Sequence, residues 1–417
     1  MATVSPHQPS AQRIWDRCEA LARLSEQPDG LTRVFLSREQ AAANALVLGW
    51  MREAGMEARL DAIGNVVGRY EGERPGLPCL LMGSHLDTVR DAGKYDGMLG
   101  VVAAIECVDV LHRSGRRLPH ALEVIGFADE EGTRFGATLL GSRALAGTFQ
   151  SEVLDKRDRD GVAMREALTQ FGLDPAKIAL AARIRGSVLA YAELHIEQGP
   201  VLEAEGLPVG VVTAINGVNR FVVEITGLAG HAGTVPMGLR QDALAAAAEC
   251  VLTIEARARD APELVATVGQ IEAQPGATNV IPGKVRFTID VRSPRDADRL
   301  AAVADVKAAI AASCTRRNVS VEITQTHQGG TATCAPWLMD QLGRAIAAEG
   351  LAVRTLPSGA GHDGMAIIDL ADICMLFVRC ERGISHNPAE AITLEDIDVS
   401  TRVFLRFIEH FQPRAGT

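Results

Sequence analysis

Three short polar clusters constrain this 417-residue chain more than any other feature: Gly83-Ser84-His85-Leu86-Asp87-Thr88, Asp96-Gly97 and Asp129-Glu130-Glu131-Gly132. Each follows an apolar, strand-like run or opens a helix, so all three can meet at one edge of a sheet although they are separated along the chain. Residues 77–82 read as a short buried strand, 97–114 as a helix closed by Gly115, and 121–128 as a second strand. Two helical patterns, 11–24 and 38–54, precede them. Strand and helix in alternation predict an α/β layer with a mainly parallel sheet.

From about 211 to 327 the order changes to strand 220–226, helix 241–258, strands 264–273 and 284–292, helix 297–313 and strand 319–326. This is the split β-α-β-β-α-β, ferredoxin-like pattern. Residues 336–411 return to the first pattern, with a helix at 338–349, a strand at 373–378 and a closing helix at 394–411. The chain is therefore expected to form a discontinuous domain of residues 1–212 and 328–417, with a smaller domain, 213–327, inserted into it. With 417 residues, 47% of them hydrophobic, it exceeds what one core holds and can fill two. Residues 412–417 are expected to be a loose tail.

A formal net charge of −10, without any Lys/Arg block, argues against a nucleic-acid partner, whose phosphates need a basic face. No stretch approaches the roughly 18 uninterrupted apolar residues of a membrane helix. Residues 1–24 carry Arg13, Asp16 and Glu19 and lack the apolar segment of a secretion signal, so a cytoplasmic location is expected. The eight cysteines are scattered without C-x-x-C spacing, as buried small hydrophobes would be.

Imidazole and carboxylate donors suit divalent transition metals, and two such ions need a shared carboxylate plus further ligands for each. His85 and Asp96 begin such a set, and Asp87 is placed to hold the ring of His85 in one tautomer. The side chains of adjacent Glu130 and Glu131 diverge, so one can bind metal while the other moves a proton. Two further histidines follow strand-like runs: His195 in Glu193-Leu194-His195-Ile196-Glu197-Gln198-Gly199-Pro200, and His386 in Gly383-Ile384-Ser385-His386-Asn387-Pro388. Together these residues read as the core of a two-metal hydrolase.

The motifs GSHLDT, YDG, DEEGTRF, ELHIEQGP, GHAGTVPM, TNVIPG with FTIDVR, SGAGHD and GISHNPAE span about residues 10–411. In them the chain resembles the hydantoinase/carbamoylase branch of the M20 metallopeptidase-like amidohydrolases. That branch includes N-carbamoyl-L-amino acid hydrolases, allantoate amidohydrolases and β-ureidopropionases. The resemblance implies one metal held by His85, Asp96 and His195, another by Asp96, Glu131 and His386, and Glu130 as general base and later proton donor. Zinc or manganese would occupy the pair, with cobalt or nickel also accommodated. Histidine at 195, where peptidase branches commonly carry a carboxylate, steers the reading toward ureido cleavage.

By the same resemblance the inserted domain is a lid that also forms a homodimer contact, with hinges near 211–214 and 326–330. Asn279 and Arg292 match the pair that binds a substrate carboxylate, Gln198 a contact to the ureido group, and His231 a histidine that reaches the partner subunit's site to stabilise an oxyanion. Gly361-His362-Asp363-Gly364 carries no assigned role beyond shaping the pocket. An N-carbamoyl-L-amino acid and allantoate each offer a carboxylate and a ureido group to the same residues, so the two stay open as substrates. An N-acyl amino acid deacylase or dipeptidase is the alternative from another class.

Overall fold

Hydroxyl caps start the first two helices. Ser10 accepts the N–H of Arg13 at the head of α1 (Ala11–Ala22), and Ser37 that of Gln40 at the head of α2 (Arg38–Glu53). A third helix, α3 (Met98–Arg113), begins instead at Gly97, whose φ of 69° suits glycine, and is buried on all sides from Met98 to Leu111. α4 (Pro336–Ala348) and α5 (Leu394–Glu409) follow late in the chain, and α1 packs on both α3 and α5. The computed structural model describes residues 8–414, so 1–7 and 415–417, with the parts of the leader and tail readings that fall on them, lie outside the described residues.

The chain divides into two compact units. One comprises Met1–Thr213, Cys334–Leu356 and Ala360–Thr417; the other comprises Ala214–Thr333 and Pro357–Gly359. Six strands of the first unit precede the second: β1 (Glu57–Leu60), β2 (Val66–Tyr70), β3 (Cys79–His85), β4 (Ala121–Phe127), β5 (Val188–Ile196) and β6 (Val209–Ile215). β7 (Ile373–Val378) follows it. They are seven strands of one nine-stranded sheet, in the order β1-β2-β4-β3-β5-β7-β6, with the short strands Ala332–Thr333 and Thr355–Ser358 also on β6.

The expected mainly parallel sheet is in fact mixed. β4, β3, β5 and β7 run parallel at the centre, whereas β1 with β2, β2 with β4, and β7 with β6 are antiparallel. The connections explain this. β1 and β2 are joined by a tight turn in which Asp61 accepts the N–H groups of Ile63, Gly64 and Asn65, while β3 and β4 need the crossover helix α3 to run the same way. The parallel centre matters for function, because its strands deliver side chains to one carboxyl-terminal edge.

The second unit is built on a five-stranded antiparallel sheet in the order Ile271–Gln274, Lys284–Ser293, Gly217–Thr226, Ser320–Gly329, with Val265–Thr267 also on Lys284–Ser293, and carries helices Ala243–Arg259 and Asp296–Arg316. Its connectivity is that of a split β-α-β-β-α-β unit. The strand expected at 264–273 is broken: Val265–Thr267 and Ile271–Gln274 both pair with Lys284–Ser293 but are separate. Its last strand runs to Gly329, and the chain re-enters the first unit at Cys334, later than the expected boundary at 327–328. Of the tail, Gln412 is fixed: its N–H donates to Gln341 Oε1 and its carbonyl accepts from Gln341 Nε2, each at 2.9 Å.

Candidate metal centre

His85 is the last residue of β3, His195 the last but one of β5, and Asp129, Glu130 and Glu131 follow β4 after Ala128. Asp96 precedes α3 by two residues, and the loop after β7 carries His386. The tight start of α3 lies against His85: a side-chain carbon at Gly97 would stand 2.5 Å from its ring. His386 has φ of 53°, and Gln198 and Asp129 also adopt left-handed backbone, at 56° and 58°. Such strain in non-glycine residues gathers where geometry is imposed by function.

The sequence-predicted ligands converge. His85, Asp96 and His195 offer donor atoms all within 4.8 Å of one another, and so do Asp96, Glu131 and His386. Asp96 belongs to both sets: its Oδ1 lies 3.5 Å from His85 Nε2 and 3.2 Å from His195 Nε2, and its Oδ2 lies 3.2 Å from His386 Nε2. Glu131 Oε1 is 3.3 Å from the same His386 nitrogen. The Nδ1 atoms of His85 and His195 are taken by the backbone carbonyls of Asp87 (3.0 Å) and Ile196 (2.9 Å), which leaves both Nε2 lone pairs facing Asp96.

His195 Nε2 is buried and has no hydrogen-bond partner, an orphaned donor atom of the kind a metal satisfies. Burial works to raise the pKa of Asp96, but His195, His386 and His85 together hold its carboxyl well below the usual range. In turn Asp96 and Glu131 push His386 up to about 10. Nitrogen and carboxylate donors grouped around one ionised bridging carboxylate fit two divalent transition ions.

Glu130 lies within the reach of the same set, with His85 and Glu131, and is buried. Burial pushes its carboxyl well above the usual range; His85 opposes this, while Glu131, Asp363 and Asp87 add to it. Asp87 acts differently from the expectation. Its carboxylate is 3.7 Å from His85 Nδ1, too far for a hydrogen bond, and accepts instead the N–H groups of Glu130 (3.0 Å) and Glu131 (3.1 Å). The tautomer of His85 is set by the Asp87 carbonyl because the loop turns back there, and the Asp87 side chain is used to shape the backbone of the two glutamates.

Gln198 Nε2 donates to Asp96 Oδ2 and to Ser385 Oγ, both at 3.0 Å, so its amide is at the centre. The other expected substrate residues belong to the second unit. There His231 and Asn279 are neighbours, because Gly230–His231 pairs with Val280–Ile281 and the Ala232 N–H donates to the Asn279 carbonyl. Both are exposed. His231 Nδ1 accepts the N–H of Gly233 at 3.0 Å, which puts the ring proton on Nε2. Arg292 is already paired: Nε and Nη2 grip Asp290 at 2.7 and 3.1 Å, and Nη1 donates to Gly359 O at 2.7 Å. Of its five N–H groups, two remain by count.

With this geometry in view, comparison with known proteins is decisive. Residues 81–410 match the model of peptidase family M20/M25/M40. The chain belongs to this family. It is 42% identical to an N-carbamoyl-L-amino acid amidohydrolase of Geobacillus stearothermophilus, over 94% of this chain and 96% of that one. It is 41% identical to allantoate deiminase 1 of Glycine max, over 94% and 89% of the two chains. Among solved structures, an amidase of the hydantoinase/carbamoylase family from Burkholderia multivorans superposes with a TM-score of 0.92 at 32% identity, covering 98% of this chain and all of that one.

This M20 chain also uses residues that sequence reasoning missed. Glu390 ends the GISHNPAE motif but carried no expected role. Its Oε1 accepts the N–H groups of Tyr95 (2.8 Å) and Asp96 (3.1 Å), and its Oε2 lies 3.0 Å from the Ser385 hydroxyl, so one carboxylate ties the backbone of Asp96 to the loop of His386. Burial, with Asp96 beside it, raises Glu390 to about 7. Glu193, fully buried, accepts from Ser84 Oγ and Tyr191 OH beneath His85 and His195. His362 packs edge-on against His195 with centroids 4.4 Å apart, and forms a further donor group with Glu193 and His195. Strand alternation could have marked Glu193, two residues before His195 on the same face; nothing local marks Glu390.

Proposed function

We propose that this chain is a metal-dependent amidohydrolase that cleaves the terminal carbamoyl C–N bond of a carboxylate-bearing ureido acid, an N-carbamoyl-L-amino acid or allantoate, with release of ammonia and carbon dioxide. The observation that carries this reading is the pair of ligand sets sharing Asp96, with buried Glu130 beside them. The relatives' names supply the substrate class. His85, Asp96 and His195 would hold one divalent ion, and Asp96, Glu131 and His386 the other, zinc or manganese by donor type. When bound, such ions polarise a carbonyl oxygen and lower the pKa of water toward 7.

Glu130 takes the proton of the attacking water and returns it to the departing nitrogen; the raised pKa imposed by burial suits both transfers. Gln198 holds the ureido group. From the second unit, acting as a lid, Asn279 and the two unused N–H groups of Arg292 receive the substrate carboxylate. His231, with its proton on Nε2, donates to the oxyanion in the partner subunit of a homodimer. Exposed Leu228, Met237, Leu239, Leu244 and Leu252 on the second unit support such a dimer contact. We place the enzyme in the cytoplasm, in keeping with eight buried cysteines that are all unpaired.

The test is ammonia release from allantoate and from a panel of N-carbamoyl-L-amino acids, after separate loading with manganese and zinc. Glu130→Gln is expected to lower kcat by about 10³-fold while keeping its metals. Preference for allantoate means that the pocket reads a second ureido arm; preference for the amino acids makes the enzyme a carbamoylase. Hydrolysis of N-acetyl or dipeptide substrates alone would replace this reading with the deacylase alternative.

A further inference from the structure

Arg33 is fully buried, yet no carboxylate among the described residues forms an ion pair with it. Its guanidinium is bonded to the main chain and to sulfur. Nε donates to Leu86 O at 2.8 Å, Nη1 to Leu21 O at 2.7 Å and Leu24 O at 3.1 Å, and Nη2 to the thioether of Met98. The backbone is fixed as well: the Arg33 N–H donates to Thr88 Oγ1 at 2.9 Å, and the Thr88 N–H to Arg33 O at 3.0 Å. The strap continues along the same loop, where Leu31 O accepts the N–H of Ala92 at 2.8 Å and Thr32 Oγ1 that of Asp91 at 3.1 Å.

The partners of this one side chain are significant. Leu86 separates His85 from Asp87, Met98 stands two residues after Asp96, and Leu21 and Leu24 close the end of α1. Enclosing a cation without a carboxylate is costly, and apolar packing alone would be met by leucine or methionine. A planar fork with five N–H groups can brace three directions at once, which lysine cannot. Asp87 is the nearby charge that works against the lowering of the Arg33 pKa by burial.

We propose that Arg33 is a positioning residue of the metal centre, fixing the separation of His85 from Asp96 by tying Leu86 and Met98 to the end of α1. The inference rests on the reading of that cluster as a metal centre. It is tested with manganese or zinc alone, by competition with a chromophoric chelator, on protein whose fold is checked by circular dichroism and thermal melting. Arg33→Lys keeps the charge but loses the fork, and is expected to bind metal at least tenfold more weakly, with kcat reduced and KM within threefold of the wild type. Met98→Leu, which removes the thioether accepting from Arg33 Nη2 at nearly constant volume, decides the matter if Arg33→Lys does not fold, with metal binding weakened at least threefold. A folded variant of either kind with metal affinity within twofold of the wild type overturns the proposal. Because metal binding is read without substrate, a wild type that binds metal but hydrolyses no ureido acid overturns the functional reading and leaves this test intact. A wild type that binds no metal overturns both.

Discussion

His85 and His195 are buried in the first unit, with each Nδ1 committed to a backbone carbonyl and each Nε2 turned to the carboxylate of buried Asp96, whereas His231 and Asn279 in the second unit face solvent and Arg292 grips its own Asp290. The two regions prepare for chemistry in different ways. Fixed donors can receive a cation with little rearrangement, which is what pre-organisation requires. Exposed residues in the second unit gain their functional partners only from something that arrives, a substrate or a second subunit. Loss of His85, Asp96 or His195 should therefore remove metal and rate together, and damage to the second region should spare the metal.

The strongest way to break this contrast is Asp96→Asn. It removes the acceptor common to both ligand sets, so metal content and ammonia release should fall together, the rate by at least about 10³-fold. Metal analysis of the purified variant checks it; full metal content would show that Asp96 is no bridge. Arg292→Lys sharpens the other side. Loss of a two-bond clamp on a carboxylate should raise KM roughly 10- to 100-fold, with metal content unchanged. Steady-state kinetics against substrate concentration reads this, and a fall in kcat at constant KM would assign Arg292 to a different step.

One acid-sensitive group lies outside both regions. His120 is buried, neither ring nitrogen has a partner, and burial lowers its pKa to about 4. Against an unfolded value of about 6.5, the unfolded chain binds the proton first, so nothing is lost above that pH and stability falls as pH drops from about 6.5 to 4. The full loss is of the order of 3 kcal/mol. Phe411 packs edge-on at 5.1 Å, so His120→Phe should fit and flatten this slope. Urea unfolding at pH 7 and pH 4.5 measures it; equal slopes in both proteins would place the acid sensitivity elsewhere.

The legible parts of the sequence were those where chemistry and local pattern coincide. His85 ends a strand and Glu131 follows one, so the apolar runs before them announced the elements that bring these side chains together. The strand Ile373–Val378 was readable to the residue because six buried positions stand between polar ends. Glu390 and Arg33 were not legible, since their roles depend on Tyr95, Asp96, Leu86 and Met98, which fold against them from far along the chain. The Asp87 carboxylate was misread because sequence gives proximity to His85 but not which oxygen the ring meets. Residues 136–187 show no period. Their apolar side chains, among them Leu140, Leu154, Met164 and Ile178, join Phe35, Leu36 and Ile63 in one core and come from helices of seven residues or fewer, too short to show a period.

The central claim is that the first unit is a two-ion centre for ureido hydrolysis, and titration of metal-free protein with manganese while ammonia release from N-carbamoyl-L-amino acids and allantoate is followed tests it most directly. The account predicts that activity rises with added metal and reaches its plateau at two ions per chain. A plateau in binding at two ions without ammonia from any ureido acid, or full activity in metal-free protein, would contradict it.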